Sequence, residues 1–121
     1  SYVARVYGDR AFDVGFISSC NNADPSIGVA PMHVSSNIAP APFSNAPAYR
    51  DERVDALFAE AATEPDPERR RALYDEVQRR LVEDLPYLWL VERRYHQASA
   101  PDVRDVEAHR TSAFTRTWLD R

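Results

Sequence analysis

The sequence has no lysine, one cysteine and three glycines among its 121 residues. Because Cys20 is alone, no disulfide bond can form within the chain. His33, His96 and His109 lie far apart in the sequence and share no zinc-ligand spacing with Cys20, so no metal site is predicted. So few glycines give no Gly-rich loop of the kind that cradles phosphates. These absences argue against a disulfide scaffold, a metal enzyme and a phosphate-loop protein.

Positive charge is not in excess, and long apolar runs are missing. The chain has fifteen arginines and nineteen acidic residues, which gives a net charge of -4. A nucleic-acid-binding module usually concentrates basic charge on one face, so no nucleic-acid partner is predicted. The arginine run 69–71 lies among acidic residues, which is typical of a solvated, ion-paired helix face. The longest apolar stretches are much shorter than the roughly 20 residues that a membrane span needs.

The first half of the chain combines short apolar segments with a long proline-rich stretch. Residues 2–8 are typical of a helix end, which Gly8 would close. Residues 12–17 (Phe-Asp-Val-Gly-Phe-Ile) predict a short buried strand with a polar segment after it. Residues 23–49 hold most of the nine prolines and little periodicity. Loops this long in a compact domain are usually functional or specially packed, so the segment is expected to be an ordered loop.

The second half predicts two helices, over 51–62 and 66–84, joined by a turn at Pro65. Asp51 and Asp66 are N-cap residues, and Pro67 suits the first helical position. The apolar residues recur at helical spacing in both segments: Val54, Leu57, Phe58, Ala61, and then Leu73, Val77, Leu81. After Pro86, residues 87–91 predict an apolar strand with a partner at 95–98, and residues 114–119 a final short helix.

Three sequence blocks, taken together, resemble family 5 of the extracellular solute-binding proteins, which bind dipeptides, oligopeptides and nickel. The first block is Phe12-Asp13-Val14-Gly15-Phe16 followed by Asp24-Pro25. The second contains Phe43-Ser44-Asn45, Tyr49 and Val54-Asp55-Ala56-Leu57-Phe58. The third runs from Asp66 to Gln78, continues through Leu81 and ends with Glu83-Asp84-Leu85-Pro86-Tyr87. The resemblance covers residues 12–98 and is thin over the tail, 99–121.

The resemblance implies a mixed α/β fold that is part of a larger, two-lobe periplasmic-binding-protein architecture. Members of the family are much longer than 121 residues, so residues 1–121 are expected to be a C-terminal part of the second lobe. The first residue, Ser1, is not methionine, which leaves a mature N-terminus or a fragment, and the resemblance favours a fragment. The helices would pack on a small sheet, because their apolar stripes are one-sided and need a surface to cover.

The candidate ligand-binding residues are Ser18, Ser19, Asn21, Asn22 and Asp24. They follow the predicted strand over 12–17, and open α/β folds place ligand groups just past strand ends. In peptide-binding relatives this loop supplies an aspartate for the ligand's ammonium group, and that position falls on Asn21. A tryptophan common in relatives is replaced by Ser18. Turn stabilisation is the alternative for Asn21 and Asn22, and turn initiation the alternative for Asp24-Pro25.

Other chemistry-bearing residues are interpreted as structural. Asn45 and Tyr49 are expected to hold the long loop together, with a ligand-facing position as the alternative. Trp89 and Trp118 are expected in the core. Cys20 as a nucleophile would need an adjacent histidine and an orienting acid, and nothing in the sequence supplies them.

The function implied by the resemblance is that of a substrate-binding component of an ABC importer, not an enzyme. It would capture a peptide-like or other small solute in a cleft between two lobes and deliver it to a membrane permease. The missing N-terminal lobe of the same protein would form the other wall of that cleft. It would need no cofactor, and its location would be periplasmic or extracellular. The alternatives are a helical interaction module over residues 51–85 and a hydrolase using Asp24 and His33.

Overall fold

Two compact units make up the chain, residues 1–88 and residues 89–121. The computed structural model describes residues 1–19, 24–92, 98–106 and 117–120. The first unit contains a short helix α1 (Pro25–Gly28) and the two long helices α2 (Glu52–Thr63) and α3 (Pro67–Asp84). None of the helices in the described part is long and apolar enough to cross a membrane.

The long helices begin where the sequence places their caps. The Asp51 carboxylate accepts the backbone N–H groups of Arg53 (2.7 Å) and Val54 (3.1 Å), which would otherwise have no partner within the helix. Asp66 caps α3 in the same way through the N–H of Arg69, at 2.8 Å. Leu85 ends α3 in a left-handed conformation (φ 49°). The two predicted helices and the break at Pro65 are confirmed.

The core of the first unit lies where α2 and α3 pack on each other and on the 24–49 segment. Val54, Leu57, Phe58 and Ala61 are buried on one face of α2, as their spacing predicts. Val77 and Leu81 of α3 meet them, and Ala30 of the proline-rich segment completes the cluster. The rim of this core is formed by partly buried Val29, Val34, Tyr49, Leu73 and Tyr74.

The N-terminal segment also ends its helix as predicted. Residues Ala4–Gly8 form one turn of π-helix, after which Asp9 donates its N–H to the Ala4 carbonyl at 2.8 Å. Val6 and Tyr7 are buried against Ala46, with Phe12 packed beside them. This small cluster is the second apolar core of the unit.

Both strand predictions for the apolar runs are wrong in this structure. Residues 12–17 are irregular, and all of them except Phe12 are exposed: Val14 is 71% and Phe16 74% accessible. Residues 87–92 are likewise not a strand, and Val91 is 90% exposed. A strand forms only when its backbone groups find a neighbouring strand, and the described part of the first unit contains no sheet. The proposed partner, 95–98, lies outside the described residues except for Ala98.

The second unit holds a two-stranded antiparallel sheet. Strand β1 (Val103–Arg104) pairs with β2 (Trp118–Leu119). Arg104 bonds the Asp120 carboxylate at 3.1 Å, and the Trp118 indole donates to Asp105 at 3.2 Å. The predicted helix over 114–119 is wrong at Trp118 and Leu119, where backbone pairing extends the chain. Thr117 is not helical either, and residues 114–116 lie outside the described residues.

The expectation that both tryptophans lie in the core is also wrong. Trp89 is 60% and Trp118 51% exposed. An apolar ring is buried only where enough surrounding apolar surface exists to cover it, and each ring lies in the small second unit. The described chain is thus a mixed α and β structure in which helix predominates.

Candidate functional site

Asp24 is the best-defined of the predicted ligand-binding residues. Its carboxylate caps α1 by accepting the Ser26 N–H at 2.9 Å and the Ser26 hydroxyl at 2.7 Å. The second carboxylate oxygen accepts a hydrogen bond from the Arg70 guanidinium of α3, also at 2.9 Å. These bonds, those from Ser26 first, lower the pKa of Asp24 to about 2. The charged group therefore fastens α1 to α3, in agreement with the turn-initiating alternative.

Arg70 extends this contact toward the core. Its guanidinium lies 5.7 Å from the centroid of the Tyr74 ring, one helical turn further along α3. Arg70 Nε and the Tyr74 hydroxyl are both buried. The contact with Tyr74, and then the bond to Asp24, raises the pKa of Arg70. Asp24, Arg70 and Tyr74 thus form a polar cluster directly after the predicted ligand loop.

The other predicted site residues are dispersed or lie outside the description. Ser18 and Ser19 are exposed, and the Ser19 hydroxyl is 3.5 Å from the Met32 sulfur. Asn21 and Asn22, together with Cys20, lie outside the described residues. Since residues 12–17 form no strand here, the strand-end argument for this loop loses its geometric basis. The ligand-binding assignment stays a prediction that depends on the family resemblance.

Asn45 organises the proline-rich segment from within. Its side chain is fully buried, and its amide group donates to the carbonyls of Tyr49 (2.8 Å), Val34 (3.1 Å) and His33 (3.2 Å). Its oxygen accepts the Tyr49 N–H at 3.0 Å. With every polar atom used and none reachable by solvent, Asn45 has the structural role that the sequence analysis favoured.

Tyr49 connects the same segment to the ends of both long helices. Its hydroxyl donates to the Asp84 carboxylate at 2.6 Å and lies 3.4 Å from that of Asp51. Burial, and then the bond to Asp84, raises the pKa of the Tyr49 phenol. Asp51 also faces Arg80 of α3 at 3.4 Å, so the start of α2 and the end of α3 are held through one polar network.

His33 is a buried residue whose setting the sequence analysis did not foresee. It is 4% exposed, and its Nδ1–H donates to the Val29 carbonyl at 3.0 Å. The imidazole stacks on Phe58 (centroids 6.4 Å apart) and meets the Tyr87 ring edge-on at 5.2 Å. Its Nε2 is buried without a partner among the described residues. Burial lowers the pKa of His33, so the ring is held neutral.

The N-terminal residues line an open concavity. Tyr2, Arg5, Arg10, Phe12 and Asp13 contribute to its wall. Arg10 has left-handed backbone (φ 49°), and its Nε and Nη2 are buried without a partner among the described residues. Residues of the 12–17 segment thus form part of its wall.

A metal site is not found in the part of the chain that the structure describes, where no group of three or more histidine, cysteine or acidic residues comes together. No family model, curated protein or solved structure matches the chain.

Proposed function

We propose that this chain is part of the substrate-binding component of an ABC importer. Such a receptor captures a small solute between two lobes, closes by a hinge motion and delivers the solute to a membrane permease. The proposal starts from the three sequence blocks that resemble family 5 of the extracellular solute-binding proteins. It places the protein in the periplasm or on the outer side of the cell.

The observation that carries the proposal is that the third block contacts each of the other two through polar side chains. Asp24 of the first block pairs with Arg70 of the third. Tyr49 of the second block bonds Asp84 of the third. Contacts across 46 and 35 residues support a single shared structural pattern.

The two exposed apolar segments support the larger architecture. Residues 12–17 and 87–91 have the β-branched and aromatic composition of strands, yet they expose Phe16, Leu88 and Trp89 by 60% or more. Soluble proteins rarely leave such runs uncovered, and strands outside a sheet leave their backbone groups unpaired. In the proposal each segment joins a sheet of the complete two-lobe α/β protein, with the helices packed on it.

The proposed solute is small and does not depend on a free ammonium group. Relatives that bind peptides place an aspartate where this chain has Asn21, and an amide cannot supply that negative charge. Asn21, Asn22, Ser18 and Ser19 offer neutral donors and acceptors, which suit carbonyl or hydroxyl groups. We assign Asp24 to the support of this loop because Ser26 and Arg70 already occupy its carboxylate.

The two alternative functions gain less support. A helical interaction module over residues 51–85 would need a free apolar face, but Leu57, Phe58 and Val77 are covered within the unit. A hydrolase would need an accessible base, and the His33 ring is enclosed between Phe58 and Tyr87.

Native mass spectrometry of the protein produced from its whole reading frame tests the proposal. We expect the folded protein to carry, or to select from a mixture, one small solute that is released chemically unchanged on denaturation. The same protein denatured before mixing is the control. Conversion of the solute into a product would contradict the assignment as a receptor. The assignment would also be contradicted if the folded protein bound only other proteins and no small solute.

A further inference from the structure

His33 joins three parts of the first unit. Its Nδ1 is bonded to Val29, its ring lies between Phe58 of α2 and Tyr87 beyond α3, and its own carbonyl accepts the Asn45 amide at 3.2 Å. The ring therefore lies where the 24–49 segment attaches to the helix pair. A change in the charge of the ring would therefore affect the contacts with all three parts.

We propose that His33 is an acid-sensitive latch, whose protonation weakens the attachment of the 24–49 segment to helices α2 and α3. A protonated imidazole has a second N–H, at Nε2, and the described structure supplies no acceptor there. Burying a charged donor without a partner is costly, so the cationic form favours conformations that expose the ring to water.

The groups around the ring offer no compensation for the added charge. Tyr87 is the titratable group that faces it, and burial raises the pKa of this phenol to about 12, so it stays neutral. Among the described residues, the ring also contacts the Phe58 ring and the Val29 carbonyl, and the Asn45 amide bonds the backbone carbonyl of His33. Of the acidic groups on the packed elements, Asp55 is bonded to Ser35 and Asp84 to Tyr49.

The direction of the pH effect follows from the lowered pKa. In the unfolded chain His33 titrates near 6.5, whereas burial keeps it neutral to lower pH in the folded chain. Below pH 6.5 the unfolded state therefore binds more protons, and folding stability falls with falling pH. One such group raises the unfolding equilibrium constant by up to about tenfold per pH unit until the folded pKa is reached.

The test is urea unfolding of the 121-residue chain between pH 8 and pH 5. Two variants remove the titration: His33→Phe keeps the ring packing, and His33→Asn keeps a donor for the Val29 carbonyl. Both should lose the tenfold-per-unit rise of the unfolding constant below pH 6.5. The double variant His96→Asn/His109→Asn, which leaves His33 as the one histidine, should retain it. Equal acid sensitivity in native chain and His33 variants would overturn the latch.

A second measurement does not depend on how well the His33 variants fold. In the His96→Asn/His109→Asn chain, NMR titration of the remaining imidazole should give a pKa below that of a free histidine. Hydrogen exchange, corrected for intrinsic rates, should show the Asn45 and Tyr49 amides losing protection at pH 5.5 relative to pH 7.5. A pKa at or above the ordinary value, or unchanged protection of both amides, would contradict the proposal.

Discussion

Replacing Asn45 by alanine is expected to lower the free energy of unfolding by about 3 kcal/mol or more. The side chain is fully buried and makes four hydrogen bonds to backbone groups of the proline-rich segment. Alanine leaves the Tyr49 N–H and the His33 and Tyr49 carbonyls without this partner, whereas the Val34 carbonyl keeps the Asn37 N–H at 3.2 Å. Each buried unsatisfied group costs about 1–3 kcal/mol. Some of these groups can relax or admit water, so the full sum is not expected.

Urea unfolding followed by circular dichroism measures this loss. Asn45→Asp keeps the oxygen that accepts the Tyr49 N–H but replaces the donating NH2 group. The carboxyl then lies against three carbonyl oxygens, so this variant should be destabilised as well. Ser36→Ala, at an exposed position of the same segment, should change the free energy by less than about 0.5 kcal/mol. A loss below about 1 kcal/mol for Asn45→Ala would show that this network does not hold the segment.

Truncating the core at Leu57 should have a similarly large effect. Leu57 is 1% exposed at the centre of the cluster that joins α2, α3 and the 24–49 segment. Leu57→Ala removes buried methyl groups and leaves a cavity, which together cost about 2–5 kcal/mol in well-packed cores. The chain has a small core, so a large part of its stability should disappear.

The matched control for Leu57→Ala lies on α3. Val82 is 53% exposed, so Val82→Ala removes apolar atoms that water already reaches. Its effect should stay within about 0.5 kcal/mol, helped by the better helix propensity of alanine. Comparable losses for the two variants in urea unfolding would mean that the α2–α3 contact is not the core of the unit.

The two long helices could be predicted from the sequence because their signals are local. Asp51 and Asp66 bond N–H groups two to three residues away, and Pro65 breaks the helix by its own geometry. The apolar spacing on α2 likewise selects the buried face without reference to the rest of the chain. Such features need no distant partner, and all of them hold in the structure.

The strand predictions failed because a strand depends on distant residues. The composition of 12–17 and 87–91 favours extended structure, but only a neighbouring strand can satisfy the backbone groups. The burial of His33 was not foreseen for a related reason. It lies in an aperiodic segment, where no repeat shows which side chains face inward, and its ring partners Phe58 and Tyr87 are distant in the sequence.

The ligand loop was predicted partly from a strand that the structure does not form and partly from the family resemblance. Of the residues in this loop, the Ser19 hydroxyl contacts the Met32 sulfur. The Asp24 carboxylate is bonded to Ser26 and to Arg70. The carboxylate of Asp24 looked like a ligand group because the sequence does not reveal that Arg70, 46 residues away, pairs with it.

Calorimetry with the solute released from the whole protein tests the central claim, that this chain contributes to one wall of a two-lobe receptor. The solute should bind the whole protein with sub-micromolar affinity and show no such binding to the 121-residue chain. A single wall leaves a ligand largely in water, whereas small-molecule sites bury most of the ligand surface. Sub-micromolar binding to the isolated chain, or none to the whole protein, would contradict the account.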